Sequence, residues 1–144
     1  MKLEAVVLCD AATVREGLLH TLGAGITRVW SRGHPTSLNT VVAGFASGTR
    51  DDTNSLHEIR MIVSSPTIEI GTIGGALKVG QLPPKFEKDE RLHCPFVQDL
   101  RMIGTNEYGK HSLKITLDPG SDQESNWTHD FWILNVDELA LPPI

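Results

Sequence analysis

The chain has 144 residues, of which 40% are hydrophobic and 22% charged, and its formal net charge is -5. These values are typical of one globular domain, and they argue against a disordered chain or a broad nucleic-acid-binding surface. The longest purely apolar run, Ala5–Cys9, is far shorter than the roughly 20 residues that a membrane-spanning helix needs. We therefore expect one domain over 1–144, with no nucleic-acid or membrane partner.

Alternation of apolar and polar residues, which is the period of a β-strand, recurs along most of the chain. The helix candidate is 10–19 ("DAATVREGLL"), where Asp10 would be the N-cap and Gly17 would limit the helix to about one turn. Gly74–Gly75 resembles a hairpin turn between two apolar runs. The run at 129–137 is apolar on both faces, which favours a central or doubly covered strand. The predicted strands are Leu3–Cys9, Leu18–Leu22, Ile26–Trp30, Thr40–Ala46, 57–65, Ile68–Ile73 with Ala76–Val79, Leu92–Val97, 111–117 and 129–137.

Short strands at this spacing, joined by loops rich in Gly, Pro, Asn and Asp, are typical of sandwiches and barrels. The sequence therefore predicts an all-β fold, an antiparallel β-sandwich of the immunoglobulin-like or Greek-key type. We expect about seven to nine strands, at most one or two short helical turns, and an extended tail over 138–144.

Gly23 and Gly25 raise the possibility of a phosphate-binding loop. The third glycine of a dinucleotide fingerprint is replaced by Arg28, and the following residues favour a strand instead of a helix. A kinked or bulged strand explains both glycines better, and Asp10 is best explained as a local acceptor for backbone amides. All three residues are therefore predicted to be structural, and no cofactor is expected.

Six histidines make a metal site conceivable, although the spacings typical of metal-binding motifs do not occur. His111 and His129 begin the last two predicted strands and would approach each other in a suitable register. They are the candidate ligands. A nucleophile elbow or an activated cysteine is not recognisable, so no catalytic residue is predicted and an enzyme is the less favoured class.

The aromatic residues suggest a contact surface. Trp127 follows a very polar loop, which makes it the predicted surface aromatic and a possible anchor for a partner. Trp30 and Trp132 are predicted to pack in the core. Tyr108, the one tyrosine, precedes a late strand, where it would support a corner or a loop.

The N-terminal third carries a recognisable signature: Leu8–Ala12, then Gly17-Leu18, then Leu22–Gly25. With "HEIRMIV" and "YGKHSLKITLD" further on, the chain resembles a bacterial family, frequent in actinobacteria, whose members share an "LLCDAA…GxL…LGxG" pattern and have no assigned function. The resemblance implies a small β-sandwich and no catalytic residues.

Two functions remain open. The favoured one is a non-catalytic module that binds a protein partner or a second copy of itself, through a sheet edge or an apolar face. The alternative is a metal-dependent or small-molecule-binding protein or hydrolase that uses strand-end histidines and loop carboxylates. Charged residues interrupt any secretory signal near the start, so cytoplasm is the expected location.

Overall fold

The computed structural model describes residues 1–139 and consists almost entirely of β-strands. Helical structure in this range is limited to the 3-10 turns Arg50–Asp52 and Val136–Glu138, so the prediction of an all-β fold is confirmed. The strands are β1 (Lys2–Cys9), β2 (Ala11–Arg15), β3 (Leu18–Leu22), β4 (Arg28–Ser31), β5 (Thr36–Ser37), β6 (Val41–Gly48), β7 (Leu56–Ser64), β8 (Glu69–Lys78), β9 (Leu92–Asp99), β10 (Gly104–Thr105), β11 (Gly109–Leu117) and β12 (Ser125–Asn135).

The number of strands exceeds the expected seven to nine because β2, β5 and β10 were not foreseen. Most of the predicted tail, residues 140–144, lies outside the described range, and Glu138 closes a 3-10 turn instead of starting an extended segment. No helix within residues 1–139 has the length and apolarity needed to cross a bilayer.

The strands form several sheets. The largest has five strands in the order β4-β12-β11-β7-β8, and a second has three in the order β1-β6-β9. Two small pairs, β2-β3 and β5-β10, complete the set. Every pairing is antiparallel except that of β12 with β4, which is parallel.

One hydrophobic core joins the two larger sheets. Successive side chains of a strand point to opposite faces, so every second residue of β7 and β11 enters this core. Burial of each such aliphatic side chain stabilises the fold by about 1.5–3 kcal/mol. The five-stranded sheet contributes to this core Ile59, Met61, Val63, Leu113, Ile115 and Leu117. The three-stranded sheet contributes Leu3, Val6, Leu8, Val42, Ala46 and Phe96.

The β2-β3 hairpin occupies the segment for which a helix was predicted, and that prediction is wrong. Glu16 and Gly17 both have positive φ, 52° and 75°, as the two central residues of a type I′ hairpin turn require. Ala12 and Leu19 of the hairpin pack on a second, smaller core on the far side of the three-stranded sheet. The packing of the hairpin on the three-stranded sheet outweighs the weak local preference of this segment for a helix.

β6 is therefore the strand covered on both faces. Val41 and Ala43 face the hairpin, whereas Val42 and Ala46 face the main core. For 129–137 the prediction was a central or doubly covered strand. β12 is indeed an inner strand of its sheet, but Trp132 on its outer face is 38% exposed.

β8 runs without interruption through Gly74–Gly75, so the predicted hairpin turn there is wrong. Gly74 pairs with Arg60 and Gly75 with Ile59 of β7. A Cβ atom on Gly74 would meet nothing within 4 Å, so this glycine lies on an open part of the strand. A glycine pair is compatible with a hairpin turn but does not require one. Here β8 pairs with β7 on both sides of the two glycines, so the chain does not turn.

Gly44 on β6 marks a close approach inside the core. A Cβ atom there would lie 2.6 Å from the Ala5 carbonyl oxygen and 2.6 Å from the Phe96 ring.

We expect Gly44→Ala to lower the free energy of unfolding by about 1–3 kcal/mol, because the Phe96 ring and β1 must both shift. Gly74→Ala is the matched control and should leave stability unchanged or slightly raised. Urea unfolding of both variants checks this, and equal midpoints would contradict the described packing.

Candidate functional site

β4 is an edge strand of the five-stranded sheet. The Trp132 amide donates to the Thr27 carbonyl at 2.9 Å, and Arg28 is the register partner of Trp132. Backbone groups of successive strand residues point to opposite sides, so those of Val29 face β12 while those of Arg28 and Trp30 face away. Within residues 1–139, β4 pairs with β12 alone, and no turn or loop hydrogen bond reaches the backbone of Arg28 or Trp30. The edge can therefore accept another strand.

A groove of about 520 Å³ runs along this edge, and we call it the β4 groove. Five successive residues line it, namely the four residues of β4 and Arg32 directly after the strand. The remaining walls come from Asp10, Ile26 and the segment 35–40. Leu38 of that segment is fully buried and its amide bonds to the Ile103 carbonyl at 3.0 Å, so the floor of the groove is fixed.

An apolar surface adjoins the groove on the outer face of the sheet. Trp30 is the register partner of Leu134, and Trp132 that of Arg28, so these side chains share one face. Trp30 is 45% exposed, and Leu134 is half-buried. We call Trp30, Trp132 and Leu134 the outer aromatic patch. Large aromatics at a surface are typical anchors of protein contacts.

The tryptophans are thus arranged in the opposite way to the prediction. Trp127 is half-buried and packs against the main core, whereas Trp30 and Trp132 are exposed. The reason is strand register, because Trp127, Phe131 and Ile133 lie at odd positions of β12 and Trp132 lies between them. The polarity of the loop before Trp127 does not determine on which face of β12 the Trp127 side chain lies.

Asp10, Gly23 and Gly25 lie together where β1 ends and the hairpin returns. Gly23 and Gly25 have positive φ, 62° and 94°, and a Cβ atom on Gly23 would lie 2.0 Å from an Asp10 carboxylate oxygen. The amides of Gly25 and Ile26 both donate to the Leu8 carbonyl, at 2.9 and 3.0 Å. Asp10 does not cap a helix, because β2 begins directly after it. Its carboxylate instead lies against Gly23, beside the β4 groove.

The rings of Tyr108 and His34 pack against each other, with centroids 4.2 Å apart and planes tilted by 45°. Tyr108 also packs against the main core, directly before β11. The Tyr108 ring therefore packs between His34 and the main core.

His111 and His129 face one another diagonally across the β11-β12 pair but are engaged separately. The His111 ring is fully buried, with Nε2 3.0 Å from Thr105 Oγ1 and Nδ1 3.0 Å from the Gly109 carbonyl. His129 Nε2 lies 3.0 Å from the Ile26 carbonyl. Among residues 1–139 no three His, Cys, Asp or Glu side chains cluster in a way that could hold a metal ion.

A buried polar network around His57 was missed by the sequence analysis. His57 Nδ1 lies 2.7 Å from Asp118 Oδ2, and Nε2 lies 3.6 Å from Asp52 Oδ1. The Met1 amino group donates to the same Asp52 oxygen at 3.1 Å. Because 61 residues separate His57 from Asp118, no local pattern could reveal the pair.

Hydrogen bonds and ion pairs of this network connect three segments of the chain at one end of the core. It joins the turn Arg50–Asp52, the start of β7 and the end of β11, where Asp118 has a φ of 52°. The His57 side chain is 8% exposed, and its Nε2 is the one buried side-chain nitrogen or oxygen of the described residues without a hydrogen bond. The arrangement presents little imidazole surface to a substrate.

The pKa of Asp52 lies below its ordinary value. Burial alone would raise this pKa, but the Thr49 amide, which donates to Oδ2 at 2.7 Å, and the Met1 ammonium group together lower it. Both partners stabilise the ionised carboxylate, so the charge is held in the folded state.

The site described here is that of an all-β protein with an open strand edge and an adjoining aromatic surface. Residues 4–126 match DUF6941, a family of unknown function, and the chain therefore belongs to that family. The family supplies no activity and no functional residues. Neither the curated proteins nor the solved structures include a match to the chain.

Asp52→Asn tests the network. We expect it to lower the free energy of unfolding by about 1–3 kcal/mol at pH 7, because the buried partners lose a charged acceptor. A lowered pKa means that the carboxylate contributes fully above its ordinary value of 3.8 and loses this contribution as the pH falls further. The deficit of the variant should therefore shrink below that pH.

Urea unfolding between pH 7 and pH 3 measures this deficit. Asp51→Asn is the matched control, since the neighbouring carboxylate is exposed. A deficit no larger than that of the control, or one that grows in acid, would show that the network does not stabilise the fold.

Proposed function

We propose that the protein is a non-catalytic interaction module that binds an extended segment of a protein partner, or of a second copy, along β4. Added strands obtain affinity from main-chain hydrogen bonds and specificity from alternate side chains. We further propose that the two larger sheets belong to the Greek-key class of sandwiches, in which such edges border end loops.

One observation carries the proposal: β4 has no strand partner on its outer edge in the described part of the chain, and Arg28 and Trp30 of this edge strand line a groove. Unpaired edges invite uncontrolled pairing, and proteins ordinarily cover or shorten them. An edge with a fixed floor and an exposed tryptophan is better explained as a docking site than as an unprotected strand.

The outer aromatic patch adds a second contact surface beside this edge. A partner strand on β4 would extend the sheet, so its outward side chains would lie next to Trp30. Aromatic anchors near the centre of a contact carry much of the binding energy, commonly 2 kcal/mol or more by alanine substitution, an order-of-magnitude figure.

The alternative function, a metal-dependent or small-molecule-binding protein, has weaker support. The candidate ligands His111 and His129 make hydrogen bonds to other groups, and the carboxylate of Glu124 accepts from Gly120 of its own loop and from Asn126 at the start of β12. Loop-bound side chains of this kind are explained by local structure.

Site-specific photocrosslinking tests the proposal. With p-benzoylphenylalanine at position 30, we expect adducts with a defined partner, or with a second copy, in the native cells. The same reagent at position 56 is the matched control, because Leu56 is 72% exposed but lies away from the groove.

Two backbone variants make the result specific. Arg28→Pro removes an edge-facing amide and should reduce adducts at position 30 about tenfold, whereas Arg28→Lys keeps both that amide and the positive charge and should retain most of them. If position 30 gives no more adducts than position 56, or if both Arg28 variants behave alike, strand docking on β4 is wrong.

A further inference from the structure

Two arginines flank the tryptophan of the β4 groove. Arg28 and Trp30 occupy alternate positions of β4, Arg32 follows in the bend after the strand, and all three line the groove; we call them the β4 stripe. Four other arginines make polar contacts, Arg50, Arg60, Arg91 and Arg101, whereas Arg28 and Arg32 have no ion pair among residues 1–139. In a chain of net charge -5, this is a local concentration of unneutralised positive charge.

We propose that the occupant of the β4 groove is an extended segment of another protein in which carboxylate side chains alternate around a central apolar residue. This inference rests on the proposed function and specifies the partner's chemistry. On a strand paired with β4, outward side chains recur about every 7 Å, the same interval that separates the side chains of Arg28 and Trp30 on β4. Two carboxylates would then face Arg28 and Arg32, and the apolar residue would face Trp30.

Guanidinium groups suit this task. They bind carboxylates through two parallel hydrogen bonds, and they stack on aromatic faces such as that of Trp30. Asp10 on another wall of the groove disfavours carboxylates at the alternate, inward-facing positions of the partner, because like charges repel. The groove therefore favours a partner segment that carries carboxylates, and it favours the orientation in which these carboxylates point outward.

A second copy is the less suitable occupant. If two β4 strands paired edge to edge, they would bring two copies of Arg28 and two of Arg32 into one contact. Like charges opposite each other destabilise strand pairs. The charge of the β4 stripe is thus complementary to an acidic segment and not to itself.

Three capped peptides of seven residues test the inference on the full chain. All carry leucine at the centre and threonine or valine elsewhere, with glutamate, glutamine or lysine at the positions two residues before and after the leucine. By isothermal titration calorimetry we expect the glutamate peptide to bind about tenfold more tightly than the glutamine peptide, and the lysine peptide most weakly. The preference should diminish as salt is added.

Charge reversal identifies the residues responsible. The double variant Arg28→Glu with Arg32→Glu should prefer the lysine peptide, whereas Arg15→Glu, on the exposed β2-β3 hairpin, should leave the order unchanged. N-methylation of the glutamate peptide at its edge-facing amides should abolish binding, and methylation of the intervening amides should not.

Each other result overturns the inference. Equal binding of the three peptides, unaffected by charge reversal but lost on N-methylation, would leave strand docking intact and refute the acidic segment. Failure of all peptides together with self-association that Arg28→Pro abolishes would assign the groove to a second copy. Failure of all peptides in a chain that stays monomeric and gives no adducts at position 30 would refute both proposals.

Discussion

The structure depends on one constraint, the sharing of a single hydrophobic core by the five-stranded and three-stranded sheets. Because β-strands alternate their side chains, residues that enter this core fix which face every neighbouring residue occupies. A shift of one residue would expose the whole buried set, so the register is strongly determined. On β12 this places Phe131 and Ile133 inside and Trp132 outside.

The same constraint leaves β4 with an open edge. β4 meets β12 in parallel, so its hydrogen bonds on that side are complete, and the sheet ends there. Charged side chains on an edge strand ordinarily prevent uncontrolled pairing. In our account Arg28 and Arg32 serve this purpose as well, since they repel a second copy and attract an acidic strand.

Sequence reasoning succeeded where alternation was strong and failed where a partner elsewhere in the chain decided the outcome. The strands at 57–65 and 111–117 were correctly predicted, because Ile59, Met61 and Leu113 alternate with polar residues. The hairpin β2-β3 looked helical because its stability comes from packing on β6. The edge at β4 and the network of His57 depend on pairings between distant segments, which one sequence does not display.

The two polar features of the molecule have separate roles. The network of His57, Asp118 and Asp52 lies in the interior and fastens loops, whereas the β4 groove lies at the surface between the core and an unpaired strand edge. An ordered interior holds the β4 edge in a fixed conformation. A strand then docks at a lower entropic cost, because its template is already ordered.

Amide hydrogen exchange along β4, measured by NMR, tests the central claim most directly. The account predicts alternation: the amides of Val29 and Ser31, which face β12, should exchange about a hundredfold more slowly than those of Arg28 and Trp30. Uniform protection of all four amides would show that the edge is already paired, and uniformly fast exchange would show that β4 does not join the sheet. Either result would contradict a docking strand at this position.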